Sequence, residues 1–573
     1  MRRFLIPLLG VALVAAGVAA WSYFGPVLAA APSVAGTWKL TFFPPDGTEI
    51  SLWLIQIEAK DGELTGKVLS APNEQLKEAK VAQFASEDKE LRFKMQLNAG
   101  ETTIEFPVTV RIPDKGGEAK LLRGTIVLNG QKLFAQLERT DMKELDAASA
   151  QDAGASGLLL KALKTRDAKD QEKLFKDVIA ANADKPAAYY AGVGLVGVSI
   201  KQGAAADDLR KHAEAAVRVA AEFGPDMERT ALAEVASQLA RDAKSAPVAV
   251  DFARQAEKTL TDADPPAVTM AVLKTLAGAL RKSDKASEAA TLQARIDKLE
   301  DALDKEFLKD AVPFKPKAHG GRAGDDNRVV LVELFTGAQC PPCVAADVAF
   351  DALLKTYKPA DVAFLQYHLH IPGPDPLTNA DSEKRGEYYD LGGTPTYYLN
   401  GKTGPAAGGP KQGGQQAYGR LEAKIAEDLK SETKTKLKLT AQRKGDAIDI
   451  GASVSGLETT GDKVRLRFVL VEDVVRYQGR NGQRLHHHVV RAFPGGVEGA
   501  KLDKAESKHA VALNLAELSK SLGDYLTASN EKRPFLDDER PLNLKNLKVV
   551  AFIQNDDGKQ VLQAAQVDVE EAK

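Results

Sequence analysis

Cysteine is nearly absent: the 573 residues hold two, Cys340 and Cys343. That scarcity excludes a stapling disulfide framework, because neither sulfur has any partner but the other. An excess of one charge is also missing, since 77 Lys and Arg face 79 Asp and Glu, a net charge of −2. The charges are interspersed, so nothing recommends nucleic acid or an anionic membrane surface as a partner. Long low-complexity tracts are absent too, leaving an Ala-rich middle and a Gly-rich loop near residue 410. At about 150 residues per domain, the length predicts three to five domains.

What the chain does have begins with a basic start, Met1-Arg2-Arg3, an apolar run from Phe4 to Ala20 and the small residues Leu28-Ala29-Ala30-Ala31. This is the pattern of a bacterial-type secretory signal over residues 1–31, with an uncleaved signal-anchor as the alternative. The chain is therefore expected outside the cytoplasm, in the periplasm, with an inner-membrane anchor as the variant case. No other contact with a membrane is expected.

Residues 33–141 alternate apolar and polar side chains in seven runs, from Thr37–Phe43 to Lys132–Glu138, separated by turns such as Asp46-Gly47 and Asn129-Gly130. Consecutive hairpins favour a barrel or meander, with a sandwich as the alternative. The opening Gly36-Thr37-Trp38 resembles the start of lipocalin-like barrels, in which the Trp plugs one end. Residues 142–312 change to helical periodicity, from Asp207–Phe223 through Ala286–Lys309. Phe252 to Lys258, Thr275 to Leu280 and Ala286 to Ala290 resemble tetratricopeptide repeats, which implies a scaffold that can dock proteins; a plain helical spacer is the alternative. Residues 313–327 read as a linker. Residues 328–432 read as strand, helix, strand, helix, hairpin, helix, and residues 433–573 return to alternating strands, as in an antiparallel immunoglobulin-like sandwich.

The two cysteines form Cys340-Pro341-Pro342-Cys343, directly after the apolar run Val329 to Phe335. A strand that ends in a turn and opens a helix with Cys-x-x-Cys is the layout of a redox dithiol. The first thiol would meet the unpaired N–H groups and dipole of the helix N-terminus, which favour a thiolate. Metal binding and closure of a small local ring are the other readings. Gly393-Thr394-Pro395-Thr396 follows downstream, leading into Tyr397 to Gly401.

With these two motifs, residues 328–432 resemble a thioredoxin-fold domain, and the Gly-Thr-Pro-Thr form is similar to that of bacterial periplasmic disulfide proteins. Val332 to Gly337, with Tyr367-His368, further resembles an exported thioredoxin-like family related to bacterial outer-membrane lipoproteins, which can carry a similar C-terminal sandwich. The resemblance implies that Cys340, exposed at the helix start, is the nucleophile and that Cys343 resolves the mixed disulfide. Pro395 would be cis and Thr394 would offer its backbone to a substrate chain. Each proline of the motif removes an N–H, so the Cys340 thiolate is expected to be less strongly favoured than in strongly oxidising motifs. Glu333 stands where the pattern usually has an Asp, and is a candidate proton relay for Cys343; a half-exposed strand-end carboxylate is the alternative.

The histidines offer a metal reading, because Cys340, Cys343 and His368 could hold copper. Exported copper chaperones of the same superfamily space their cysteines by three residues, unlike this chain. His486-His487-His488, alternating on a strand, cannot put all three rings on one face. The expectation is a multidomain α+β protein with barrel, helical, thioredoxin-like and sandwich segments. It would act as an exported thiol–disulfide oxidoreductase on protein thiols and disulfides, with a further redox partner and no cofactor. A non-catalytic binding protein and a copper-handling protein are the rivals.

Overall fold

The computed structural model describes residues 34–60, 63–87, 89–99, 102–113, 119–128, 131–322 and 328–572. The expected signal segment lies outside the described residues. Contacts divide the chain into two compact units, one ending at Leu303 and the other running from Asp304. Among the described residues no helix is long and apolar enough to cross a membrane.

In the first unit, eight strands follow the alternating sequence: β1 (Gly36–Phe43), β2 (Glu49–Lys60), β3 (Glu63–Ser70), then the one-turn helix α1 (Glu74–Lys77), β4 (Lys80–Glu87), β5 (Glu90–Ala99), β6 (Thr102–Arg111), β7 (Leu121–Leu128) and β8 (Gln131–Arg139). They pair antiparallel in the order β3-β2-β1-β8-β7-β6-β5-β4, and a short β9 (Gln151–Asp152) pairs with β2. Among the described residues β3 and β4 share no ladder, so the barrel-like sheet is nearly closed. Trp38, Leu40, Trp53, Ile55, Phe93 and Met95 fill the interior from alternate positions.

Eight helices follow: α2 (Ser156–Lys164), α3 (Ala168–Ala181), α4 (Pro186–Lys201), α5 (Ala206–Ala221), α6 (Pro225–Leu239), α7 (Ala246–Lys258), α8 (Pro266–Lys282) and α9 (Ala286–Asp310). Pro186, Pro225 and Pro266 each open a helix, where the missing N–H is not needed. Small residues such as Ala213, Ala216, Ala249 and Ala253 are fully buried where these helices meet.

The second unit is built on one mixed sheet. Its elements are β10 (Val330–Thr336), α10 (Val344–Thr356), β11 (Val362–His368), α11 (Ala380–Tyr389), β12 (Thr396–Leu399), β13 (Lys402–Thr403), α12 (Gly414–Asp428), β14 (Lys436–Lys444), β15 (Ala447–Ser455), β16 (Gly461–Arg476), β17 (Leu485–Ala492), β18 (Ala500–Leu502), β19 (Ser507–Asn514), α13 (Leu515–Lys532), β20 (Leu547–Asn555), β21 (Gln560–Asp568) and β22 (Glu570–Glu571). The sheet order is β13-β12-β10-β11-β17-β16-β20-β21, with β18 beside β16. Gln366 of β11 pairs in parallel with Val489 of β17, so strands on both sides of residue 433 share one sheet. A second sheet, β19-β15-β14-β22, closes a separate core with α13 through Ile448, Leu466, Leu518 and Ile553.

β10 is buried along its whole length, so both of its faces are apolar, as a central strand requires. Val330, Val332 and Leu334 pack against α10 and α12, whereas Leu331 and Phe335 pack on the opposite face with Tyr389, Val469 and Phe552. This division decides which side chains can approach the cysteines.

Candidate redox site at the Cys340–Cys343 disulfide

The chain leaves β10 through Gly337, where a Cβ would come within 2.7 Å of the Ile371 carbonyl oxygen, so only glycine fits. Cys340 N–H then bonds back to the Gly337 carbonyl at 3.0 Å. Pro341–Cys343 form one 3₁₀ turn and α10 starts at Val344. Cys340 and Cys343 are joined as a disulfide.

Cys340 is 1% exposed and Cys343 0%. The expected solvent-facing Cys340 is thus corrected: exposure falls on Pro341 and Pro342 instead. The cover comes from distant loops. Gly409 N–H bonds the Pro342 carbonyl at 2.7 Å and Ala345 N–H bonds the Gly409 carbonyl at 3.0 Å. That second bond occupies a first-turn N–H of α10, and Cys343 N–H is taken by the Cys340 carbonyl at 3.0 Å. The prolines have no N–H to offer. What reaches Cys340 Sγ is Thr394, whose hydroxyl donates at 3.6 Å and whose carbonyl oxygen lies 3.9 Å away. The Thr394–Pro395 peptide is cis, as is Ile371–Pro372. The structure therefore brings Cys340, Cys343, Thr394 and Pro395 into one place.

Glu333 is elsewhere. It shares the face of Leu331 and Phe335, away from α10, and is buried in a two-pronged pair with Arg385 (Nε–Oε1 2.9 Å, Nη2–Oε2 3.1 Å). Tyr367 and Tyr389 hydroxyls also donate to it, at 3.0 and 2.6 Å. Neither a relay to Cys343 nor a half-exposed strand-end carboxylate matches this position. The sheet itself separates Glu333 from the helix that carries Cys343.

The carboxyl on the cysteine side is Asp347, four residues after Cys343 on α10 and unforeseen from the sequence. A lone Asp within the apolar run Val344-Ala345-Ala346-Asp347-Val348-Ala349-Phe350 was the available signal. Its Oδ1 accepts from Thr336 Oγ1 at 2.8 Å and from Gln366 Nε2 at 3.4 Å. Its Oδ2 is buried with no hydrogen-bond partner. Burial drives this carboxyl well above its ordinary 3.8, and the nearby Asp351 and Asp375 add to the effect. Because the folded state keeps a proton that the unfolded chain releases, stability is lost as pH rises above 3.8 toward the raised value. Asp347→Asn retains an acceptor for Thr336 and cannot ionise. The stability of this variant relative to wild type should therefore grow by up to about 1.4 kcal/mol per pH unit above about pH 4. Urea unfolding at a series of pH values measures this, and a pH-independent difference would contradict a protonated Asp347.

His368 does not turn to a metal in this arrangement. Its Nδ1 lies 2.9 Å from Asp375 Oδ2 and its Nε2 lies 3.3 Å from Gln366 Oε1. Burial alone would raise Asp375, but His368 and the N–H groups of Leu377 and Ala338 hold it below the usual carboxylate range. Ala338 N–H, at 2.6 Å from Asp375, anchors the loop that delivers Cys340. The ring of His486 stands 4.8 Å from that of His368, and burial pushes its pKa down to about 3. Among the described residues no three His, Cys, Asp or Glu side chains are grouped to hold a metal ion.

No protein-family profile and no curated protein matches the chain. Among solved structures it is similar to HBP35 of Porphyromonas gingivalis, at 16% identity over 44% of this chain and 79% of that one, with a TM-score of 0.30. A likeness at that level assigns neither fold nor role.

Proposed function

We propose that the chain is an exported, thioredoxin-like thiol–disulfide oxidoreductase that exchanges disulfides with protein substrates through Cys340 and Cys343. The observation that carries this reading is the disulfide closed between β10 and α10, with the Thr394 hydroxyl and carbonyl at 3.6 and 3.9 Å from Cys340 Sγ. A ring spanning three residues removes little chain entropy, so a structural purpose is a poor account of it. In the reduced protein the Cys340 thiolate attacks a substrate disulfide, forming a mixed disulfide and releasing one substrate thiolate. Cys343 then loses its proton and attacks Cys340 Sγ, releasing the second substrate thiolate. The reverse sequence oxidises a substrate dithiol, and the two electrons reduce the Cys340–Cys343 bond.

The Thr394 hydroxyl supports Cys340 as nucleophile, since a donor at the sulfur favours the thiolate. Cys343→Ser is expected to trap several-fold more mixed disulfides than Cys340→Ser when reduced protein meets extracts of its own compartment. Equal trapping by the two variants would overturn the assignment. The barrel-like sheet, similar to a lipocalin, the repeat-like helices and the sandwich-like C-terminal layers would serve docking and substrate selection. An N-terminal signal or anchor would place them in the periplasm.

The burial of both sulfurs, 1% and 0% exposed, favours a second reading as a binding protein with a locked dithiol. Reduction of insulin or repair of a scrambled substrate by the full chain separates the two: turnover belongs to the oxidoreductase alone.

A further inference from the structure

Two histidines that a regular strand would send to opposite faces line the same cavity. His488 has a φ of +52°, a left-handed conformation uncommon outside glycine, and it falls in the middle of β17. That break in the alternation lets His487 and His488 both border a cavity of about 380 Å³ at the end of α10 away from the disulfide. The third ring of the run, His486, stands apart from this cavity against His368, so the three do not share one face.

The cavity has an apolar wall and a polar wall. Leu354, Tyr357, Val362, Phe364 and Phe307 form the first. At its border stand Leu308 and Val474, which are 52% and 38% exposed and so leave large apolar side chains in water without a partner.

On the polar wall the acceptors are already answered. Asp473 lies 3.2 Å from His488 Nε2 and 3.6 Å from Lys548 Nζ, and Lys548 also binds Asp568 at 2.5 Å. His488 Nδ1 faces the Phe364 carbonyl at 3.2 Å. Burial alone would raise Asp473, yet His488 and Lys548 hold it below the ordinary range, as an ionised and neutralised carboxylate. Burial pushes Asp351 up, and His487, whose Nε2 lies 3.9 Å from Asp351 Oδ1, and Lys355 offset that in part. Lys355 acts on Asp351, one turn earlier on α10, through its charge alone, with no carboxylate within ion-pair distance among the described residues. Two donors therefore border the apolar wall: the Lys355 side chain and the His487 ring, whose ion-pair contact with Asp351 is a long one at 3.9 Å.

We propose that this cavity is a binding site for a small amphipathic carboxylate, with its aryl or branched alkyl body on the Leu354–Phe364 wall and its head group at Lys355 and His487. A volume near the low end of ligand pockets suits a single ring with a short chain. The site stands apart from the disulfide and does not depend on the oxidoreductase reading.

Isothermal titration of the full chain with 4-phenylbutyrate, and with the neutral 4-phenyl-1-butanol, tests the assignment. One carboxylate should bind per chain, at least fivefold tighter than the alcohol. Leu308→Asp, at an exposed position, should weaken the carboxylate at least tenfold. Lys355→Glu should weaken the carboxylate at least fivefold and leave the alcohol unchanged. Thermal unfolding of each variant checks that it is folded. Equal binding of acid and alcohol, indifference to Leu308→Asp, or no binding at millimolar carboxylate would each overturn the proposal.

Discussion

Arg385→Leu should destabilise the unit from Asp304 onward by about 3–5 kcal/mol, the usual effect of stripping one partner from a buried ion pair. Both side chains of the Glu333–Arg385 pair are 0% exposed. Arg385 also donates to Gln554 Oε1 at 3.0 Å, so the guanidinium joins α11, β10 and β20. The rings of Tyr388 and Tyr389 lie 4.6 Å from its central carbon, and Phe552 lies 5.1 Å away. Leucine would fill part of this apolar cage but would leave Glu333 charged, buried and answered by two tyrosine hydroxyls alone. The double variant Glu333→Leu with Arg385→Leu removes the charge as well. It should recover much of the loss, because replacing both members of a buried pair is often near neutral. Urea unfolding of the single and double variants measures the coupling. A loss below about 1 kcal/mol for Arg385→Leu would show that the pair does not hold the three elements together.

The sequence made this unit partly legible, and the misses have physical causes. The cysteine turn, β11, α11 and α12 lie where apolar spacing and turn residues put them. The face taken by Glu333 was hidden because β10 is buried on both sides: an apolar run without alternation does not say which layer receives its one carboxylate. The cover over Cys340 was hidden because Thr394 and Gly409 come from loops far along the chain. The parallel pairing of Gln366 with Val489 is a non-local choice that no local pattern encodes. α13 was missed although Asn514 and Glu517 offered a readable start, and Asn514 Oδ1 does cap the Glu517 N–H at 3.0 Å. In the first unit seven strands announced themselves by alternation. β4 did not, because Gln83 sits at a φ of +56° and the pairing with β5 slips between Ala82 and Ala85.

Trp38→Ala is the change expected to weaken the barrel most, by about 3–5 kcal/mol, the range for emptying a buried aromatic site. Trp38 is wholly buried, and its indole Nε1 donates to the Val34 carbonyl at 2.9 Å, tying the chain ahead of β1 to the interior. Over the ring, 4.7 Å away, lies the guanidinium of Arg139, which also donates to the carbonyls of Ala35 and Ala119 at 2.8 Å each. Gly36 makes room for this stack: a Cβ there would fall 2.0 Å from Arg139 Nη1, and its φ of +145° disfavours any side chain. Alanine at position 38 therefore opens a cavity and removes the surface on which Arg139 rests, and it leaves the Val34 carbonyl without its donor. Trp38→Phe keeps most of the apolar volume and the face beneath the guanidinium, so its loss should be clearly smaller and should report mainly the indole hydrogen bond. Trp53 lies in the same core, with its Nε1 bonded to the Leu76 carbonyl at 2.7 Å, and its fluorescence follows unfolding in urea. The midpoint should move to lower urea with an unchanged slope, as for a loss of stability without a change in exposed surface. A midpoint unaffected by Trp38→Ala would mean that the barrel closes without this side chain and that Arg139, held by two backbone carbonyls, secures that end by itself.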